Sequence, residues 1–440
     1  MANNGPISLD VSYAIKDQAI AKYQDIIGDI NKKIKTGNIE GKEKFGFFDV
    51  FKGVTKHDYN AIKQKSKELI ASGEVEVLVV IASKEITLQS QALIEFSKGL
   101  RPQSSSLEII FVNDNINGRD IAQLCIYLSK KNFAINVISQ RGDSIETLLL
   151  FREFRSILEK KLGKVNANKY IYVSTNNNYG TLFEEVRNGN YEHFVIYDNT
   201  IERYFSFSAG VLFVLACAAI NIDKFLDGAN KAAAIYSKDD LEVNVAYRYA
   251  VARTILFKNK HNLEFINVFS KSDYKLGELW KMYFSEASVK NHKGILPLVN
   301  FMQDDAKVFG QSITQSGLKI FETSLYVNNG LDYKPVSPSA DEANNYNYLN
   351  QTVTYNKIGK AIADTIIENH VIIYKIPNLR IFIADDSDIT LGWMMVFLHR
   401  ASIVSAYLLG LNPFVNTGQA NLNMTLLKSI KDISGGNNND

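Results

Sequence analysis

NVISQRGDSIETLLLFREF, residues 136–154, carries the end of a strand, a polar turn and the start of a helix within a few residues. The apolar run 133–139 reads as the strand. Asp143, followed three residues later by Glu146, reads as a helix N-cap with its capping-box partner, opening an amphipathic helix over 144–162. The same succession recurs on both sides. Short runs rich in Val, Ile and Tyr stand at 75–81, 107–112, 170–175 and 193–197, with helical patterns filling the gaps, as expected of a parallel sheet with crossover helices. The run AGVLFVLACAAI at 209–220 is shorter than the roughly 20 residues of a membrane span and suits a buried core helix. Beyond it the alternation resumes at 263–268, 323–327, 371–376 and 380–384. The fold class is therefore α/β, with two doubly wound halves on mainly parallel sheets and a C-terminal helical segment. The expected division is an N-terminal arm over 1–50 packing on the second domain, a first domain over 51–205, a second over 206–410, and a C-terminal helix with its tail over 411–440. Residues 333–349, rich in Pro, Ser and Asn, read as a surface excursion, and GGNNND at 435–440 as a frayed end.

With 440 residues and 46% of them hydrophobic, the chain can bury two cores. Lys plus Arg number 49 against 47 for Asp plus Glu, so the net charge of +2 supplies no basic stripe and nucleic acid is not an expected partner. The two cysteines, Cys125 and Cys217, both fall in apolar helical patterns, which argues against a disulfide scaffold or a thiolate metal site and fits a reducing cytoplasm. Residues 1–15 lack the basic and apolar regions of a signal peptide. No membrane span is expected. With no P-loop, Cys–His pair or metal-ligand spacing, no cofactor and no metal are expected.

Four stretches at matching intervals resemble the glucose-6-phosphate isomerase family: 136–154 as quoted, FVIYDNTIERY at 194–204, HKGILP at 292–297 and AYLLGLNPF at 406–414. The resemblance implies a pair of sugar-isomerase-type (SIS) α/β domains and an intertwined homodimer whose active site is shared between subunits. It also implies a chemistry in which a sugar phosphate is bound, its ring opened, and a proton moved between C1 and C2 through an enediolate. A phosphate needs hydroxyl and backbone N–H donors at a helix N-terminus, the proton needs a carboxylate base, and the enediolate needs a fixed cation.

Each of these requirements meets an altered sequence. The family's phosphate turn, a run of serine, glycine and three threonines ending in glutamate, corresponds to Arg141, Gly142, Asp143, Ser144, Ile145 and Glu146, where only Ser144 keeps a hydroxyl. The glycine-rich first loop corresponds to Ala82, Ser83, Lys84, Glu85 and Ile86, so side chains stand where bare backbone would meet the substrate. Arg203 matches the arginine that steadies the enediolate, but Ile201 and Glu202 replace the glycines before it and Phe205 the serine after it. Glu286 matches the base, followed by Ala287, Ser288 and Val289 in place of serine, asparagine and glycine. The ring-opening histidine corresponds to Lys307, with Phe309 and Gln311 as anchors, and the C-terminal lysine to Asn423, or to Asn421 with two residues deleted. A lysine near pKa 10.4 is a poorer acid–base group at neutral pH than an imidazole near 6.5. These replacements point to a noncatalytic homologue with a structural or assembly role, such as a scaffold or filament subunit. Two alternatives stand beside it: a divergent but active isomerase using Glu286, Arg203 and Lys307, and a sugar-phosphate sensor in which Arg141, Lys84 and Lys307 gather an anion.

Overall fold

The computed structural model describes residues 5–101, 107–113, 116–335 and 353–416, with scattered positions between 418 and 432. Val77–Ile81 (β2), Glu108–Val112 (β3), Phe133–Ile138 (β4), Ile171–Thr175 (β5) and Glu192–Val195 (β6) form one sheet in the order β3-β2-β4-β5-β6, parallel throughout. Helices cross over between successive strands, among them Lys84–Lys98 after β2 and Ile145–Leu162 after β4. β2 and β4 are fully buried, β2 an unbroken apolar run and β4 one interrupted only by Asn136, because helices cover both faces.

The second sheet runs Ile7–Asp10 (β1), Asn378–Asp385 (β10), Ile320–Asn329 (β9), Leu263–Val268 (β7) and Leu296–Phe301 (β8). Its members are parallel except β1, which pairs antiparallel with β10, Ile7 opposite Ile383. Among the described residues, the first strand thus completes the sheet of the second half. Helix Gln24–Thr36 sits against the same half, with the Asn31 amide donating to the Ser237 carbonyl and accepting from the Tyr247 hydroxyl.

The central helix, Asp388–Leu408, is buried from Thr390 to Ala406. It is long and apolar enough to cross a membrane, but 94% of that window lies inside the fold. Helix Ile222–Tyr236 meets it backbone to backbone: a Cβ on Gly392 would stand 2.0 Å from the Phe225 carbonyl oxygen, and one on Gly228 2.1 Å from that of Ile389. Glycine is required at both positions by space alone.

One expected strand is not formed. Residues 371–376 do not form a strand; helix Tyr355–Ile372 runs into them, and the turn closes through Lys375 at φ 57° with the Ile376 N–H on the His370 carbonyl. The Val-Ile-Ile run ends a helix, and the strand begins two residues after Ile376. Both β8 and β1 went unread. β8 opens with Leu-Pro, a strand-breaking signal in a sheet interior, yet β8 is an edge strand paired only with β7, where a missing N–H is tolerated. Most of the expected excursion at 333–349, and the tail at 435–440, lie outside the described residues.

Candidate functional site

The turn after β4 is tied into its surroundings. Gly142, at φ 69°, donates its N–H to the Ser139 hydroxyl at 3.2 Å, and its carbonyl accepts from Leu182 N–H at 3.0 Å. Ser144, rather than Asp143, caps helix Ile145–Leu162, its Oγ accepting from Thr147 N–H at 3.3 Å and donating to Glu146 Oε2 at 3.0 Å. Asp143 turns to the neighbouring helix Thr181–Gly189, whose own cap residue Gly180 has no side chain, and its Oδ1 accepts the Thr181 N–H at 3.2 Å. The capping-box reading therefore fails by one residue, because Asp143 is drawn away by the orphan donors of a second helix. Arg141 is exposed beside it.

The first loop contains no residue at positive φ among Ala82 to Ile86. Ser83 precedes helix Lys84–Lys98 and donates its hydroxyl to Glu202 Oε2 at 2.7 Å, while Gln89 of that helix donates to the Glu202 carbonyl at 2.8 Å. Lys84 is exposed and Glu85 half-buried. These contacts fasten the first loop to the short 3₁₀ turn Glu202–Tyr204, which carries Arg203.

Arg203 is 2% exposed, and its Nη1 lies 3.6 Å from Glu286 Oε2. Its Nε and Nη1 are buried without a hydrogen-bond acceptor. Glu286, near the end of helix Tyr274–Ser288, keeps 38% of its side chain exposed and accepts from the Asn416 amide at 2.7 Å. The fold thus brings Arg203 and Glu286 together from residues 83 positions apart. Lys290 joins them: its Nζ donates to the carbonyls of Asn412 at 3.0 Å and Val415 at 2.7 Å. Burial, and secondarily the Arg203 charge, bring the Lys290 pKa down to about 8 against the opposing pull of Glu286. Phe414, in the same segment, meets the rings of Phe45 and Tyr204 edge-on, so residues 412–416 form a strap across the Arg203–Glu286 pair.

Two relatives decide the family. A glucose-6-phosphate isomerase of Mycoplasma mobile is 36% identical over 415 residues, covering 94% of this chain and 95% of that protein. One of Mycoplasmopsis pulmonis is 34% identical over 425 residues, covering 97% and 99%.

The chain belongs to the glucose-6-phosphate isomerase family.

No protein-family model matches it. In fold it is similar to a hypothetical protein of Thermus thermophilus, with a TM-score of 0.83 at 18% identity over 96% of this chain and 99% of that one. A glucose-6-phosphate isomerase of Chlamydia trachomatis superposes with a TM-score of 0.73 at 14% identity over 98% and 90%. The architecture is that of two sugar-isomerase-type α/β domains.

Two other family positions behave differently. Lys307 is exposed on helix Met302–Val308, whose Met302 packs with Tyr326, Ala363 and Ile367 on one face of the second sheet. The helix carrying Glu286 packs on the opposite face, with Ile266 and Val268. Within one chain, Lys307 and Glu286 are therefore held by elements on opposite faces of the sheet. Asn423 and Asn421 lie outside the described residues.

Sequence reasoning missed the group behind Arg203. The Ser206 hydroxyl donates to Gln89 Oε1 at 2.7 Å, and His399 Nε2 lies 3.2 Å from that hydroxyl and 3.0 Å from the Tyr283 hydroxyl. Burial brings the His399 pKa down to about 3, so the imidazole is neutral there. Its members come from residues 89, 206, 283 and 399, and no local spacing announces them. Lys290 was missed as well: it lies two residues beyond the end of helix Tyr274–Ser288, and its bonds go to the carbonyls of Asn412 and Val415, far along the chain.

Proposed function

We propose that this chain is a noncatalytic member of the glucose-6-phosphate isomerase family, kept for its fold and for assembly as a homodimer or larger intracellular scaffold. The observation that carries the reading is the turn after β4. Its aspartate is fixed by the Thr181 N–H and its one hydroxyl is spent as a helix cap. A phosphate oxygen about 4 Å from the Asp143 carboxylate meets a repulsion of about 4 kcal/mol at an effective dielectric near 20, roughly a thousandfold in affinity. The loss of an imidazole at Lys307 adds to this, since a positioned acid–base group is worth about 10²- to 10⁴-fold.

A second reading, an active isomerase, is favoured by the adjacency of Glu286 and Arg203 and by the names of the relatives. Purified protein assayed in both directions with glucose 6-phosphate and fructose 6-phosphate separates the two. Turnover below about 10⁻³ of an ordinary enzyme rate of about 10 s⁻¹ is expected. An ordinary kcat abolished by Glu286→Ala would establish the isomerase instead. The sensor reading predicts a rise in melting temperature with millimolar sugar phosphate, lost in Arg141→Ala. A noncatalytic assembly protein shows neither effect.

A further inference from the structure

Helix Ile145–Leu162 ends in an exposed turn. Between Leu158 and Ala167, both buried, the chain reads EKKLGKVN, and every residue from Lys160 to Asn166 is exposed. Gly163, at φ 73°, closes the helix with its N–H on the Glu159 carbonyl at 2.8 Å and leads into the single helical turn Lys164–Ala167. A Cβ on Gly163 would meet nothing within 4 Å, so the turn stands clear of the body of the fold. Residues 160–169 hold four lysines and no acid, in a protein whose net charge over 440 residues is only +2. The Lys161 ammonium donates to the Lys131 carbonyl, which brings the end of helix Gly118–Ser129, with Lys130 just beyond it, alongside.

Among the described residues, Lys130, Lys160, Lys161, Lys164 and Lys169 make no ion pair, because the neighbouring carboxylates are spent elsewhere. Glu76 is held by Lys131 at 2.6 Å, Glu159 by Arg155 at 3.9 Å, and Glu74 by the Tyr170 hydroxyl at 3.3 Å. Lysines in a last turn complement the helix dipole, which accounts for Lys160 and Lys161. It does not account for Lys164, at the start of the next helix, or for Lys169. Nor does it account for the apolar residues among them. Val165 is 78% exposed and Leu162 36%, and Ile126, one helical turn before Lys130, is 60% exposed.

We propose that this turn is a docking point for an anionic lipid surface, with the lysines over the headgroups and Val165 and Leu162 entering the boundary between headgroups and acyl chains. Charge complementarity gives the sign of the partner, and shape gives its kind. A peptide is ordinarily taken up in a groove or along a sheet edge. Here apolar side chains stand out from a protruding turn, a form that enters a fluid surface. A phosphate backbone is recognised by charge and hydrogen bonding and has no use for an exposed valine in the middle of the patch. Each lysine near an anionic surface contributes roughly fivefold in affinity, and reversible attachment takes such a basic patch together with an apolar anchor.

The position of the patch also sets an orientation. Lys130 and Lys131 precede β4 and residues 160–169 precede β5, so the patch lies at the N-terminal ends of these parallel strands. The turn holding Arg141 and Asp143 follows the C-terminal end of β4. A docked molecule therefore turns its candidate site away from the lipid. The proposal does not depend on whether the chain turns over a sugar phosphate.

Flotation of the purified full chain with vesicles tests the patch. The protein is expected to float with vesicles of phosphatidylcholine and phosphatidylglycerol in equal parts, to ignore phosphatidylcholine alone, and to detach as salt is raised. Lys160→Ala, Lys164→Ala and Lys169→Ala together are expected to weaken binding about a hundredfold with melting temperature unchanged, whereas arginine at the same three positions retains it. Val165→Ser is expected to weaken vesicle binding about threefold to tenfold and to leave any binding of heparin, a soluble polyanion, as it was. The proposal is overturned if the parent chain does not float with the anionic vesicles at low salt, or if the triple alanine variant floats as the parent does. It is equally overturned if Val165→Ser leaves vesicle binding unchanged while heparin displaces the chain, because the partner is then recognised by charge alone.

Discussion

Arg203 and Arg253 are both 2% exposed, one at the junction of the two halves and one inside the second, and they keep very different company. Arg253 donates Nε and Nη2 to Glu264 Oε2 at 3.0 and 2.6 Å and lies 4.2 Å from the Phe284 ring centroid. Glu264 in turn accepts from the Tyr249 hydroxyl at 2.7 Å and the Thr323 hydroxyl at 2.6 Å, so that network is closed. Arg203 has two nitrogens with no acceptor and a carboxylate no nearer than 3.6 Å. A buried charge in a closed network is part of the fold. One left open contributes little to stability and keeps donors that the fold does not spend.

The contrast is sharpest in the pair Arg253→Met and Arg203→Met. Removing Arg253 strands Glu264 in the interior and is expected to destabilise by about 3–5 kcal/mol, read by urea unfolding. Removing Arg203 strands nothing buried, because Glu286 reaches solvent. It is expected to change stability by less than about 1 kcal/mol, or to raise it. Equal losses in the two variants would erase the distinction.

A third buried charge can discharge, and so tests the same idea by pH. Asp273 stands at the foot of the helix that carries Glu286, and burial, aided by the nearby Asp386 charge, pushes its pKa up to about 7. A folded pKa above the unfolded value means that the folded state holds its proton more tightly. The contribution is full below about pH 4 and is lost as pH rises through about 7, at most roughly 4 kcal/mol. Asp273→Asn is expected to flatten stability over that window, and an unchanged pH profile would show the group to be solvated.

The smallest effects are expected at the turn after β4. Ser144→Ala removes a helix cap and is expected to lower stability by about 1 kcal/mol. Asp143→Ala is expected to have a smaller effect, since its bond to Thr181 is exposed. A loss at Asp143 larger than at Ser144 would return the cap to the aspartate, where the sequence alone had put it.

The sequence was legible where chemistry is local. Nine candidate strands were read, and eight of them overlap observed ones, because each is a Val- and Ile-rich run between turn signals. The ninth, 371–376, failed because β-branched residues at a helix end look the same as a strand start. β1 was too short to register, and β8 was hidden by Pro297. At the site, Arg203 and Glu286 were found through the motifs around them, and the fold brings them together. Lys290, Asn416 and the Ser206–Tyr283–His399 group were invisible because each contact joins distant segments. The exchange of caps between Asp143 and Ser144 depends on a second helix that the local pattern does not contain.

β1 has a consequence for how the molecule is made. Ile7 pairs with Ile383, so the strand leaves the ribosome 376 residues before its partner. At ordinary elongation rates of about 5–20 residues per second, that is a wait of roughly 20 to 75 s. Throughout it β1 is a short unpaired segment, and its brevity and the charge on Asp10 make it a poor template for a neighbouring nascent chain. The second sheet is thus sealed by a segment translated long before the strand it pairs with. A chain cut just after Asp10 would leave β10 as a bare edge at the moment the second half folds.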